Sequence, residues 1–226
     1  MDLNADFTRR AVVHGARVPW VASPMPGVER RMLDRLGDEV ARATTIVRYA
    51  PGSHFAAHVH SGGEEIFVLE GTFQDEHGDY PAGSYFRNPP QSSHTPRSDE
   101  GCVILVKLWQ FDRQDRTHVN IDSTKIAPMV DAARPGVRIQ PLFGDRREEV
   151  RIELWAPDRE VTLADHEGLE LLVLEGSFSD GGEDFTPMSW LRLPPGQPLK
   201  AHTGPQGARV WLKKDHLADA QTAPHR

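Results

Sequence analysis

Short apolar runs, rich in β-branched and aromatic residues and closed by Gly, Pro, Asn or Asp, recur along the whole chain. Examples are "TTIVRYAPGS" (44–53), "EEIFVLEGTFQDEHGDYPAGSYFRNPP" (64–90), "GCVILVKLWQF" (101–111), "EVRIELWAPD" (149–158), "LELLVLEGSFSDGG" (169–182) and "SWLRLPPG" (189–196). Runs of this composition between turn residues predict strands. Only "GVERRMLDRLGDEVARA" (27–43) could be argued as helix, and its glycines and its place in the repeat described next favour strands there too. The pattern predicts an all-β chain, a sandwich or barrel of short strands.

The pattern also repeats. "VLEGTFQD" (Val68 to Asp75) returns as "VLEGSFSD" (Val173 to Asp180) at an offset of 105, with six of eight positions identical. At the same offset, Ser84-x-x-Arg87-x-Pro89-Pro90 returns as Ser189-x-x-Arg192-x-Pro194-Pro195. At 106, "YAPGS" matches "WAPDR" and "GCVILVK" matches "GARVWLK", while "PGVERRML" resembles "PGVRIQPL" further upstream. Self-similarity on this scale sets the domain count. Two homologous β domains are expected, at 1–112 and 125–217, with 113–124 as linker and "ADAQTAPHR" as a frayed tail.

Composition narrows the function classes. At 226 residues either half is long enough to bury a core. The net charge of -7, with no block of basic residues, argues against a nucleic-acid partner. No run of about 18 apolar residues suggests a membrane span, and the first residues lack the apolar region of a secretory signal, so a cytoplasmic protein is expected. The single cysteine, Cys102, excludes an intrachain disulfide framework and Cys-rich zinc motifs. Its apolar surroundings read as those of a small buried hydrophobe.

Chemistry concentrates in "HFAAHVHSGGEEIFVLEGTF" (54–73). His58 and His60 are two apart, so in a strand both imidazoles face one side. Ser61-Gly62-Gly63 is a turn after which the chain re-enters as a strand, returning a glutamate beside them. His94 follows the Pro89-Pro90 turn. Imidazoles and a carboxylate converging inside a β-barrel suit a divalent zinc, iron, manganese, nickel or copper ion.

The spacing Gly52-x5-His58-x-His60-x3-Glu64-x6-Gly71, followed by Gly83-x5-Pro89 and His94, resembles the two signature motifs of the cupin superfamily. Gln91 and Ser98 stand where the second motif usually has glycine and asparagine. Residues 16 to 112 are similar to the cupin domain of ChrR-type anti-sigma factors. The resemblance implies tandem double-stranded β-helix (jelly-roll) domains, with one metal held by His58, His60, Glu64 and His94; zinc is the favoured ion, with iron, manganese or nickel as alternatives. It also implies a sigma factor as partner, held in that family through a separate zinc-binding domain with a His-x3-Cys-x2-Cys motif, which this sequence lacks. A small-molecule sensor, or a dioxygenase-like or isomerase-like metalloenzyme, is therefore expected, with a small-molecule ligand and a second copy of the chain, as a homodimer, among its partners.

The repeat separates the adjacent glutamates. At offset 105 Glu65 maps to Glu170, whereas Glu64 maps to Leu169 and His94 to Leu199; His58 and His60 map to Leu163 and Asp165, or to Ala164 and His166 if the gap falls later. A carboxylate left without its metal is a costly buried charge, so ligands should be lost together. Glu64 is then the ligand and Glu65 a scaffold residue. His166, Glu170 and His202 are the candidates for a second site. Tyr85 and Arg87 are candidate substrate contacts, although Arg87 is matched by Arg192 and reads as a structural ion-pair residue. His54 reads as a supporting or exposed side chain, His77 as a turn residue and His118 as a linker residue.

Overall fold

The structure, a computed structural model, describes residues 1–38, 40–218 and 220. The tail expected to fray lies outside the described residues apart from Ala218 and Ala220. Apart from two short 3-10 turns at Gly15–Arg17 and Ser123–Lys125, the regular structure of the described residues is all strand. Residues 28–37 and 41–49, the segment that could have been helical, form two paired antiparallel strands.

Two compact units divide the chain. The first comprises Met1–Ala5 with Pro19–Lys125; the second comprises Asp6–Val18 with the described residues from Ile126 onward. The boundaries therefore differ from those drawn on the sequence at both ends. Residues 6–18 join the second unit, while residues 113–124, assigned above to a linker, and Lys125, assigned to the second domain, belong to the first.

In the first unit the main sheet runs Val119–Asp122, Ser84–Asn88, Glu64–Asp75, Cys102–Leu108, Ala41–Tyr49, Val28–Gly37 and Val21–Ala22, with neighbours antiparallel. The second unit repeats the order with Ala11–His14, Ser189–Leu193, Leu169–Asp180, Leu199–Lys214, Glu149–Trp155, Val137–Gly144 and Met129–Val130. Each edge is closed by a segment preceding the other copy in sequence: Val119 pairs with Arg87, and Ala11 pairs with Arg192.

Because side chains alternate across a strand, cross-strand register sorts residues into rows on two faces. On the inner face of the first unit, Val47, Ile104 and Val68 form one row and Thr45, Val106, Ile66 and Phe86 another. Most of these residues belong to one buried core with Val28, Phe73, Tyr80 and Cys102. Burial pushes the Cys102 thiol up to about 11, so it is an unreactive core group. The opposite face carries a buried polar row, Asp34, Thr44, Lys107, Glu65 and Arg87. The repeated Glu-Gly tail has a backbone cause. Gly71 and Gly176 both sit at φ +69°, and a Cβ on either would come within 2.2 and 2.1 Å of the carbonyl oxygens of Gly101 and Gly207. Only glycine fits that conformation at that approach.

Candidate metal centre

Three segments bring four donors to one point. His58 and His94 are a direct cross-strand pair between His58–Val59 and Ser93–His94. The strand ends before His60, whose backbone N–H donates to Ser92 O at 2.9 Å and whose carbonyl accepts from Gln91 N–H at 2.9 Å, so the ring stays beside its neighbours. Glu64 opens the long strand Glu64–Asp75 on the inner face, opposite Asn88 and Leu108. The Ser61-Gly62-Gly63 turn joins these parts and needs its glycines, because a Cβ on Gly62 would lie 2.1 Å from the Trp109 ring.

One donor atom from each of His58, His60, Glu64 and His94 lies within 4.8 Å of all the others. The imidazole centroids are 4.6 to 5.1 Å apart. Glu64 Oε2 is 3.5 Å from His60 Nε2 and 3.4 Å from His94 Nε2, and Asn88 Nδ2 donates to the same oxygen at 3.4 Å. His60 Nε2 and His94 Nε2 are buried without a hydrogen-bond partner. Buried polar atoms are ordinarily satisfied, and two orphan nitrogens aimed at a shared carboxylate fit a cation between them.

The outer nitrogens are held. His94 Nδ1 donates to Asp75 Oδ2 at 3.1 Å, and His58 Nδ1 lies 3.2 Å from Ala56 O. A donor hydrogen bond at Nδ1 leaves Nε2 with its lone pair for a metal, the usual way a supporting shell sets the tautomer. Asp75 is itself fixed by His77 N–H at 2.8 Å and Tyr80 OH at 3.3 Å. Burial raises the Tyr80 phenol, and Asp75 adds to it, taking it up to about 12, so it remains a donor. Burial holds His60 below the ordinary imidazole value, against the pull of Glu64. For His94 burial acts in the same direction but is outweighed by Asp75 and Glu64, which raise it.

Glu65 points the other way. It is 2 % exposed, accepts from Tyr85 OH at 2.7 Å, and stands across from Arg87 and Lys107. Tyr85 and Arg87, named as candidate substrate contacts, are therefore on the face away from the cluster. Arg87 pairs with Asp115 at 2.9 Å and lies over the Phe111 ring. His54 is exposed on its own short strand. Asp75 and Asn88 were missed in the sequence. Asp75 recurs as Asp180, so the repeat gave it the look of scaffold.

In the second unit the positions equivalent to His58, Glu64 and His94 are apolar, and the one equivalent to His60 is the exposed Asp165. Leu163 pairs with Leu199 as His58 pairs with His94, which aligns His58 with Leu163. Leu169 and Leu199 belong to a continuous hydrophobic core, against which Leu163 packs. His166, Glu170 and His202 are not brought together. Glu170 accepts from Trp190 Nε1 at 2.8 Å and meets His216 at 3.0 Å, whereas His202 is exposed and pairs with Glu160. Among the described residues, the first unit's cluster is the one group of three or more potential ligands.

An antiparallel β unit that gathers three imidazoles and a carboxylate at one point has the arrangement of a cupin site. Residues 8–112 match the family model of the ChrR cupin-like domain. Solved structures share the fold. A candidate dioxygenase from Nostoc punctiforme superposes with a TM-score of 0.72 at 16 % identity, covering 100 % of this chain and 86 % of that one. Protein Ylba from E. coli gives 0.70 at 12 % identity over 93 % of each chain. The bacterial pirin YhhW from E. coli, in complex with nickel(II), gives 0.67 at 15 % identity over 91 % of this chain and 98 % of that one. No curated protein matches the chain in sequence. Among the described residues no helix is long and apolar enough to cross a membrane.

Proposed function

We propose that the first unit binds one divalent metal ion through His58, His60, Glu64 and His94, and that the protein is a metal-dependent sensor or regulatory module responding to a small molecule. The observation that carries this reading is the pair of buried, unpartnered Nε2 atoms converging on Glu64. Three neutral nitrogens and one carboxylate suit zinc, and equally iron, manganese or nickel when further positions are open to a ligand. Similarity of residues 8–112 to the ChrR cupin-like domain supports the regulatory role, with a sigma factor as the partner class to test. A second reading, a metal-dependent enzyme acting on a small organic substrate, draws support from the same donor set and from the candidate dioxygenase among the fold relatives.

Metal analysis of protein purified without added metal, followed by reconstitution with zinc, iron, manganese and nickel, tests the site. One ion per chain is expected, lost in His58→Ala. An ion retained at full stoichiometry in that variant and in Glu64→Ala would exclude the assignment. X-ray absorption at the bound metal's edge then divides the roles. A closed four-coordinate zinc supports sensing, and an open five- or six-coordinate ion supports catalysis.

A further inference from the structure

Arg30 stands on the inner face of the first barrel. It lies two residues from the core residue Val28 and directly across from Val47, and the alternation of the strand is unbroken between Val28 and Met32. Arg31, its neighbour on the other face, stacks on Trp20 with its Cζ 4.1 Å from the ring centroid. The row containing Arg30 runs Val21, Arg30, Val47, Ile104 and Val68. Exposure falls along it from 50 % at Val21 to 0 % at Val68, so Arg30 occupies the rim where the inner face meets solvent. Its Nε is buried without a hydrogen-bond partner, and it makes no ion pair among the described residues.

The second unit shows what this level of a barrel looks like when it is satisfied internally. There the equivalent row is Met129, Ile139, Glu153, Val210 and Val173. The arginine position holds Ile139, and the Val47 position holds Glu153, a fully buried carboxylate. Arg134 grips Glu153 with two hydrogen bonds at 2.7 and 3.0 Å, while Arg151 Nε and Trp155 Nε1 donate to it at 2.7 Å each. The barrel without the donor cluster carries its own carboxylate among arginines. The barrel with the cluster carries an arginine and, on that row, no carboxylate.

We propose that Arg30 anchors the carboxylate of a small organic acid that enters the first barrel, and so determines its ligand class. A guanidinium fork matches a carboxylate in two parallel hydrogen bonds, and a buried unpaired donor is costly until such a partner arrives. Arg35, whose Nη2 donates to the Asp38 carbonyl, places a second positive charge near Arg30. It lies on the row that continues through Ala43 and Leu108 to Glu64. Three strand spacings of about 4.8 Å separate the two ends of that row along the sheet, and Arg30 stands across from Val47, four residues along the strand from Ala43. The inference rests on the first barrel being a ligand-binding metal site, and it names the substrate or effector class of that site.

The test uses the full chain, in metal-depleted and zinc-loaded forms, with sodium succinate as probe and succinamide plus sodium chloride as neutral and ionic controls. The Arg30 Nε–Hε resonance, identified by its disappearance in Arg30→Lys, should shift saturably with succinate and not with either control. Calorimetric titration should show at least about tenfold weaker succinate binding to Arg30→Met, the loss of one charged hydrogen-bonded contact. Arg30→Lys, which keeps the charge without the fork, should fall between the two. An unmoved resonance, or equal succinate affinity in wild type and Arg30→Met, overturns the proposal. Succinate that binds only the zinc-loaded protein and ignores Arg30 is a metal ligand, which overturns the anchor and leaves the metal site standing. A response of Arg30 in protein that never takes up metal leaves the anchor standing and removes the metal site.

Discussion

Glu64 and Glu65 are adjacent, both buried, and predicted to fail in opposite ways when each is made Gln. Glu64→Gln removes the sole anionic donor of the cluster. Metal-free protein should be little changed, because Glu64 engages only the imidazoles and Asn88. What disappears is the stabilisation by bound metal, about 2.7 kcal/mol at a hundredfold excess over Kd. For a chain of this size that corresponds to a Tm increment of roughly 5–11 °C. Glu65→Gln removes a charge that stands between Lys107 and Arg87 and accepts from Tyr85. Breaking a buried charged network of this kind costs about 3–5 kcal/mol, a fall in Tm of roughly 6–20 °C that EDTA does not alter. Differential scanning calorimetry with and without EDTA, combined with elemental analysis, reads both effects. Full metal content in Glu64→Gln, or metal loss from folded Glu65→Gln, would refute the division of roles.

Three further outcomes are expected. Asp75→Asn should keep the fold but weaken metal binding about 10- to 100-fold in competition with a chelator, because His94 loses the acceptor that orients its ring. Metal affinity should fall on acidification, beginning above the ordinary imidazole range, since the raised His94 must shed its proton to ligate. In metal-free protein the sign reverses: charged His94 adds stability that is fully present below the unfolded imidazole value and is lost as pH rises through the raised folded one. A metal-indicator titration against pH and thermal melts in EDTA would check the two halves. Gly71→Ala should cost about 2 kcal/mol or more through its positive φ and the 2.2 Å approach to Gly101 O, with metal stoichiometry unchanged at the lowered Tm.

Much of this was legible in the chain because the copies differ in chemistry while sharing packing. Turn residues and apolar runs gave the strands, and the loss of Glu64 together with the histidines marked the donors while Glu65 stayed with the scaffold. What escaped was set by long-range register. Asp75 looks like a turn residue until the fold puts it behind His94. Arg30 sits in "VERRM", where only the pairing with Val47 reveals which of two adjacent arginines faces inward. The edge partners were hidden for the same reason: "AVVH" and "VNID" are unremarkable tetrapeptides, and nothing local says which sheet each one completes.

That edge pairing has a practical meaning for anyone dividing the chain. A cut at the boundary the repeat suggests would release a fragment carrying Ala11–His14, whose partner Ser189–Leu193 is gone, while Ser84–Asn88 loses Val119–Asp122. Each half would expose an open ladder of backbone donors and acceptors, the condition that invites aggregation or strand exchange with another chain. The unit of inheritance and the unit of folding are offset by a strand, so a stable metal-binding fragment has to be drawn from the hydrogen-bond register, running through Lys125 and dispensing with residues 6–18.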